Sequence, residues 1–141
     1  MDTLELIFQL KKEAKSYNPF LICEALNIDI KYVPFLDNPK GQFQKILNQK
    51  VILLSDDLKE SQERFYICAH ELGHAVLHRD TSNYYVSNQK ARSKSESEAN
   101  RFATSLILNL YKEDLGVYPR EFKTLQLHYG VPSKSERFLF E

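Results

Sequence analysis

The stretch FYICAHELGHAVLH, residues 65–78, carries the most informative pattern in this chain. Its apolar residues recur at helical spacing, and we predict a helix that begins at a Ser61 cap and runs to about His78. On such a helix His70 and His74 lie one turn apart on the same face, so both imidazoles can reach one metal ion. The stretch therefore predicts a metal-binding helix.

The same stretch places a carboxylate, Glu71, directly after the first histidine, in the pattern H-E-x-x-H. Glu71 can reach a water molecule on the ion rather than the ion itself. Zinc lowers the pKa of bound water to about 7, and a neighbouring carboxylate can take the proton. Ordinary helix histidines are the alternative, but the mid-helix position and a small neighbour, Gly73, which leaves room beside the metal, favour a zinc site with Glu71 as its catalytic base.

A catalytic zinc ion needs a third protein ligand, and His78 continues the histidine spacing. His70 and His78 are separated by about 12 Å along a helix axis, at about 1.5 Å per residue. Metal–nitrogen bonds are only about 2 Å long, so one ion cannot join them. We expect His78 to lie at the helix end near the C-terminal carbonyls, and His128, far downstream, is a weaker candidate still.

The third ligand is sought in SKSESEANRFA, residues 93–103, where a helix is predicted to begin within the first three residues. Two overlapping S-x-x-E capping boxes allow a reading in which both acids only open the helix. On a helical projection Glu96 lies about 60° from the centre of the apolar stripe, and Glu98 about 100° away on the other side. Glu96 is therefore the predicted ligand. Glu98 is the predicted cap and the less favoured substitute ligand, and Asn100 is predicted to support a ligand from the second shell.

The remaining patterns predict an α+β fold in a single domain, residues 1–141. Helical spacing covers residues 3–17, and Asn18 followed by Pro19 marks the start of a second helix. Alternation in IDIKYVPF predicts one strand, and GQFQKILNQKVILLS predicts a hairpin around Asn48-Gln49. Gly116 and Pro119 interrupt the chain before a further helical segment, EFKTLQLHYG, and a terminal helical turn is expected from Ser133.

Composition excludes several classes of function. Lys+Arg and Asp+Glu balance at 19 each, so we expect no direct binding to nucleic acid. No apolar run approaches the length of about 18 residues that a membrane span requires, and the N-terminus lacks the order of a signal peptide. Cys23 and Cys68 are predicted to be buried free thiols, which suits a reducing cytoplasm.

HELGHAVLH followed by ESEANRFATSLIL resembles the ImmA/IrrE metallopeptidases, which phages, integrative elements and many bacteria encode. NPFLICEALNIDIKYV, VILLSDDL and SQERFYICAHELGH fit the same pattern, so the resemblance covers about residues 17–108. It implies a gluzincin-like (minimal zincin) fold with a small three-stranded antiparallel sheet packed against the histidine helix. It also implies one zinc ion, held by His70, His74 and Glu96, with Glu71 as the general base.

The resemblance also carries a function. Relatives of the ImmA type cleave a helix-turn-helix repressor encoded beside them, which implies a zinc endopeptidase that acts on a regulatory protein in the cytoplasm of a bacterial host cell. The alternative is a catalytically weak binding module that sequesters a repressor or an antitoxin-like partner. Tyr84 or Tyr85 is a candidate oxyanion partner, with packing as the alternative role.

The chain departs from the family towards its C-terminus. LILN stands where the family often has LLMP, so the second metal helix is expected to run on towards Tyr111–Asp114. The segment 117–141 is predicted to be helical and to pack on the domain or dock a partner.

Overall fold

Helices flank a small sheet in a computed structural model that describes residues 2–78 and 89–140. The first half contains α1 (Thr3–Ala14), α2 (Pro19–Ala25), β1 (Asp29–Val33), β2 (Gly41–Ile46) and β3 (Gln49–Ser55). A 3-10 turn (Asp56–Leu58) leads to α3 (Glu63–Leu77), which is followed by α4 (Gln89–Leu115), α5 (Phe122–Tyr129) and a 3-10 helix (Ser133–Phe140). The predicted α+β class is confirmed.

Local signals set the boundaries of the first two helices. The side chain of Asn18 accepts a hydrogen bond from the backbone N–H of Phe20, and Pro19 occupies the first turn of α2. Helix α1 stops at Ala14, earlier than its apolar pattern predicts, because Lys15 adopts the left-handed conformation with φ 62°.

The sheet has the strand order β1-β3-β2, with β2 antiparallel and β1 parallel to β3. The expectation of a wholly antiparallel sheet is therefore wrong for one pair of strands. Strand β3 is the most buried of the three, so it takes the central position, and the hairpin places β2 on one side of it. The chain reverses direction between β1 and β2 and again in the hairpin, so β3 runs in the same direction as β1. The two strands pair on the side of β3 that β2 does not occupy.

The hairpin turn consists of Leu47 and Asn48, which both have positive φ values, 51° and 68°. Ile46 pairs with Gln49 across it, so the turn lies one residue earlier than predicted. Two successive positive φ values match the twist of the flanking strands. The hairpin leaves β2 at the edge of the sheet, next to α3.

Helix α3 lies at the centre of the fold, between the sheet and α4. Its buried face contacts the apolar stripe of α4, and the two helices come close at Gly73. A Cβ atom at Gly73 would lie 3.0 Å from a ring carbon of Phe102 and 3.3 Å from the Cα of Ala99. Gly73 therefore permits close packing of the two helices, and the expectation that it leaves room beside the metal is wrong.

Helix α4 begins at Gln89, well before the predicted start. The good helix formers Lys90, Ala91 and Arg92 extend the helix upstream of the capping boxes. Ser95 is consequently buried inside the helix, where its hydroxyl donates to the carbonyl of Arg92. The predicted capping roles of the serines and of Glu98 are therefore wrong, whereas the predicted continuation beyond Tyr111 is confirmed.

The C-terminal segment packs onto the same core as the rest of the described chain. Leu125, Tyr129 and Val131 are buried in it, and Gly130 has φ 71° and abuts Glu63 of α3. The segment contains α5 and the 3-10 helix, with irregular residues before and between them, and docking of a partner on its outer face stays a prediction. Cys23 and Cys68 are buried and free, as predicted. Within residues 2–78 and 89–140, no helix combines the length and apolar character that crossing a membrane requires.

Candidate metal centre

His70 and His74 project from the same face of α3, with ring centroids 4.8 Å apart. Glu96 approaches them from α4. Its Oε2 lies 3.1 Å from Nε2 of His70, and its Oε1 lies 2.8 Å from Nε2 of His74. One ligand atom from each of the three side chains lies within 4.8 Å of the other two. Packing of α4 on α3 thus brings the predicted ligands together.

The donor set fits a metal ion. Two imidazole nitrogens and one carboxylate form the protein part of many catalytic zinc sites, which keep a further position open. Hydrogen bonds from His70 and His74 hold the pKa of Glu96 well below its usual range. Burial opposes charge on His70, but the hydrogen bond to Glu96 and the charges of Glu71 and Glu96 outweigh it and raise the pKa of His70. A divalent cation can take the place of the protons shared between Glu96 and the two histidines, because metal ligands bind in their deprotonated form and release protons.

Glu71 lies beside the three converging side chains and is buried. The backbone N–H of Phe43, on the edge strand, donates a 2.9 Å hydrogen bond to Oε1 of Glu71. The other oxygen, Oε2, lies 3.9 Å from Nε2 of His70. Burial raises the pKa of Glu71, although the charges of His70 and His74 oppose this rise. Glu71 is therefore held next to the candidate metal position without being one of its ligands.

Asn100 contacts the first histidine from behind. Its Oδ1 lies 2.8 Å from Nδ1 of His70, and the hydroxyl of Tyr66 donates to the same oxygen at 3.2 Å. The Tyr66 hydroxyl also lies 2.8 Å from the Ser135 hydroxyl, which links the site to the C-terminal segment. Asn100 thus contacts a candidate ligand, and its predicted supporting role stays a prediction. The hydrogen bonds of Tyr66 were not predicted from the sequence, although Tyr66 precedes His70 by one helical turn.

His78 lies at the C-terminal end of α3, as expected. Its Nδ1 lies 3.1 Å from Nδ1 of His74, and its Nε2 lies 3.5 Å from Oε1 of Glu98. Burial and the charge of His74 lower the pKa of His78. Glu98 thus stands outside the group of candidate ligands, against a different histidine. The contact between His74 and His78 was missed, although their spacing repeats that of His70 and His74.

The remaining candidates are the two tyrosines proposed as oxyanion partners and the downstream histidine. Tyr84 and Tyr85 lie outside the described residues. His128 lies on α5 and packs against Tyr111 and Tyr129.

A cleft of about 880 Å³ opens in front of these side chains. Strand β2, helix α3, the start of α4 and the C-terminal segment all contribute to its lining, for example through Gln42, Ile67, Arg92 and Pro132. The candidate metal position is therefore accessible to a ligand much larger than water.

The site combines three features of metal-dependent hydrolases. They are two histidines one helical turn apart, a carboxylate from the next long helix and a second carboxylate beside them. Residues 23–138 match the model of the peptidase M78 family, described as the IrrE N-terminal-like domain. This match covers most of the chain. The chain therefore belongs to the ImmA/IrrE family of metallopeptidases.

Two relatives show the same affiliation. Metallopeptidase ImmA of Bacillus subtilis (strain 168) is 32% identical over 128 residues, covering 82% of this chain and 70% of ImmA. Uncharacterized immunity region protein 2 of Bacillus phage phi105 is 31% identical over 102 residues, 71% of this chain. The match spans 64% of that phage protein's length. No solved structure gave a significant match.

Proposed function

We propose that this protein is a zinc endopeptidase with a gluzincin-like site, in which His70, His74 and Glu96 hold one zinc ion and Glu71 is the general base. The observation that carries the proposal is the position of Glu71. It is fixed by the Phe43 amide through one oxygen, while its other oxygen lies 3.9 Å from Nε2 of His70. A carboxylate that is fixed beside the metal ligands without being one of them is placed for proton transfer rather than for metal binding.

The two oxygens of Glu71 have separate tasks in this proposal. A zinc ion bound by the three ligands would supply Lewis acidity towards a carbonyl oxygen and a water molecule. Oε1 keeps its hydrogen bond with the Phe43 N–H throughout, which fixes the side chain in one orientation. Oε2 takes the proton from the attacking water and then gives it to the nitrogen of the departing amine.

The proposed substrate is a regulatory protein of a phage or mobile element, a repressor of the helix-turn-helix type, cleaved in the cytoplasm. The cleft between β2 and the start of α4 is open enough for a polypeptide segment. One relative is named as a metallopeptidase and another as an immunity region protein, and immunity in a phage is a regulatory function. The balanced charge of the chain supports contact with the repressor rather than with its DNA.

The experiment is incubation of the zinc-loaded protein with the helix-turn-helix protein encoded beside its gene, with fragments identified by mass spectrometry. Glu71→Gln preserves an acceptor for the Phe43 N–H but cannot take a proton, and we expect it to slow cleavage by about 10²- to 10⁴-fold. Glu60→Gln, an exposed glutamate before α3, is the matched control and should cleave like the native chain.

Two outcomes would overturn the proposal. Cleavage that survives Glu71→Gln would remove Glu71 from the reaction. Tight binding of the same protein without any fragment, unchanged by Glu71→Gln, would instead identify a module that sequesters its repressor or antitoxin-like partner.

A further inference from the structure

The second candidate ligand, His74, turns its other ring nitrogen towards a third histidine of the same helix. Nδ1 of His74 lies 3.1 Å from Nδ1 of His78, and the ring centroids are 5.2 Å apart. His78 is only 6% exposed and forms the C-terminal cap position of α3. A buried imidazole next to a candidate ligand fixes the orientation of that ligand through its own hydrogen-bonding pattern.

The positions of the hydrogens follow from the chemistry of the rings. Nε2 of His74 faces Glu96, together with Nε2 of His70. A neutral imidazole that offers Nε2 to a metal carries its hydrogen on Nδ1. Nδ1–H of His74 is then the donor, and Nδ1 of His78 is the acceptor.

The same assignment extends to α4. If Nδ1 of His78 accepts, the hydrogen of that ring stands on Nε2, which lies 3.5 Å from Oε1 of Glu98. A carboxylate oxygen accepts and does not donate, so Glu98 favours this tautomer of His78. His74, His78 and Glu98 thus form a row in which Nδ1–H of His74 faces an acceptor and Nε2 of His78 lies within ion-pair distance of a carboxylate.

The two candidate ligands are supported in different ways. Nδ1 of His70 faces the amide oxygen of Asn100 directly, whereas Nδ1 of His74 faces His78, which in turn lies against Glu98. We propose that His78 and Glu98 are positioning residues for His74, holding its ring so that Nε2 faces the metal. This inference rests on the proposed metal centre, because positioning has a purpose only if His74 is a ligand.

The test is metal binding by variants of the whole chain. The zinc dissociation constant is measured by competition with a chromophoric chelator, and the ligand geometry by the visible absorption spectrum of the cobalt-substituted protein. His78→Phe fills the buried volume without an acceptor, and we expect zinc binding to weaken by about 10- to 100-fold, with an altered cobalt spectrum.

Two further variants separate the hydrogen bond from simple packing. His78→Asn can place its side-chain oxygen near the former Nδ1 position, so it should recover most of the affinity and the native spectrum. Glu98→Gln should give an affinity between those of the native chain and His78→Phe. His128→Asn, a histidine replacement on α5 away from the cleft, is the matched control and should behave like the native chain.

The possible results separate this inference from the proposed function. Absence of zinc binding by the native chain would overturn the metal centre itself. Native-like affinity and cobalt spectra in both His78→Phe and Glu98→Gln would overturn the positioning role while leaving the centre intact. Circular dichroism checks the fold of each variant. Glu98 is partly exposed, so Glu98→Gln decides the matter if His78→Phe does not fold.

Discussion

The backbone N–H of Phe43 and the side chain of Glu71 are joined by a hydrogen bond of 2.9 Å. Strand β2 is the edge of the sheet, and alternate residues of an edge strand direct their backbone groups away from the neighbouring strand. The pairing register directs the backbone N–H of Gln42 towards β3 and that of Phe43 away from it. An outward amide that would otherwise need water is satisfied by Glu71, so the sheet fixes the carboxylate beside the candidate metal position.

Gly41 makes this contact possible, and replacing it should impair catalysis. A Cβ atom at Gly41 would lie 2.5 Å from Cγ2 of Ile67 and 3.3 Å from Cγ of Glu71. In Gly41→Ala, β2 must therefore move away from α3, which weakens the Phe43 hydrogen bond. We expect cleavage of the proposed substrate to fall by roughly 10- to 100-fold, because small displacements of a catalytic group have effects of this size. Zinc content, measured by atomic absorption, should stay native.

The control is the double variant Gly41→Ala/Ile67→Ala. Truncating Ile67 removes the atom that the new methyl group meets, so cleavage should recover in part. Full activity of the single variant would show that Glu71 does not depend on the edge strand for its position.

The two glutamates of α4 should differ sharply in metal binding. Glu96 contacts both candidate histidine ligands, whereas Glu98 contacts His78, which is not a candidate ligand. We expect Glu96→Gln to weaken zinc binding by more than about 100-fold, beyond the range of residues that act from behind a ligand. Glu98→Gln is the comparison variant, since the change is chemically identical two residues away, and its loss of affinity should stay below about 100-fold because Glu98 acts only through His78. Calorimetric titration with zinc measures both, and the reverse order of affinities would exchange the two assignments.

Sequence periodicity predicted the parts of the site that depend on one helix at a time. The spacing of His70 and His74 placed both on one face, and helical rotation separated Glu96 from Glu98. These relationships are local, since residues of one helix have fixed relative directions. The mixed sheet was not predictable in this way, because strand order depends on which strand the helices bury most deeply.

The missed features depend on contacts between elements or on competing local signals. The row from His74 to Glu98 requires α4 to pack on α3 in one register, and the Phe43 amide is a backbone group that any residue supplies. The start of α4 was predicted wrongly because two capping boxes were read as an N-terminus. Helix formers upstream of Ser93 outweighed them, so a capping signal does not end a helix that the preceding residues can continue.

Removal of the metal should lower the thermal stability of the native chain. An ion that binds only the folded state, at a free concentration 100 times its dissociation constant, raises the free energy of unfolding by about 2.7 kcal/mol. For a domain of this size that corresponds to a rise in Tm of roughly 8 °C. Differential scanning fluorimetry with zinc and then with excess EDTA measures the difference. His74→Leu, which lacks a candidate ligand, should melt at the same temperature in both buffers, and an equal shift in that variant would place the zinc elsewhere.

The hydroxyl of Tyr129 donates a 2.5 Å hydrogen bond to the carboxylate of Asp114, joining α5 to the end of α4. Tyr129→Phe removes this bond and should lower the free energy of unfolding by about 1 kcal/mol near neutral pH. Urea unfolding followed by circular dichroism measures this loss. Tyr118→Phe, an exposed tyrosine, is the matched control and should unfold like the native chain.

The loss in Tyr129→Phe should depend on pH in one direction. Burial and the hydrogen bond to Asp114 raise the pKa of Tyr129 above its usual value of about 10, which the unfolded chain retains. The unfolded native chain therefore loses this proton first, so the stabilisation is complete below about pH 10 and declines as the pH rises towards the folded pKa. At about pH 10.5 the difference between the native chain and Tyr129→Phe should therefore be smaller than at about pH 8. A difference that is equal at about pH 8 and about pH 10.5, or that grows, would contradict a raised pKa at Tyr129.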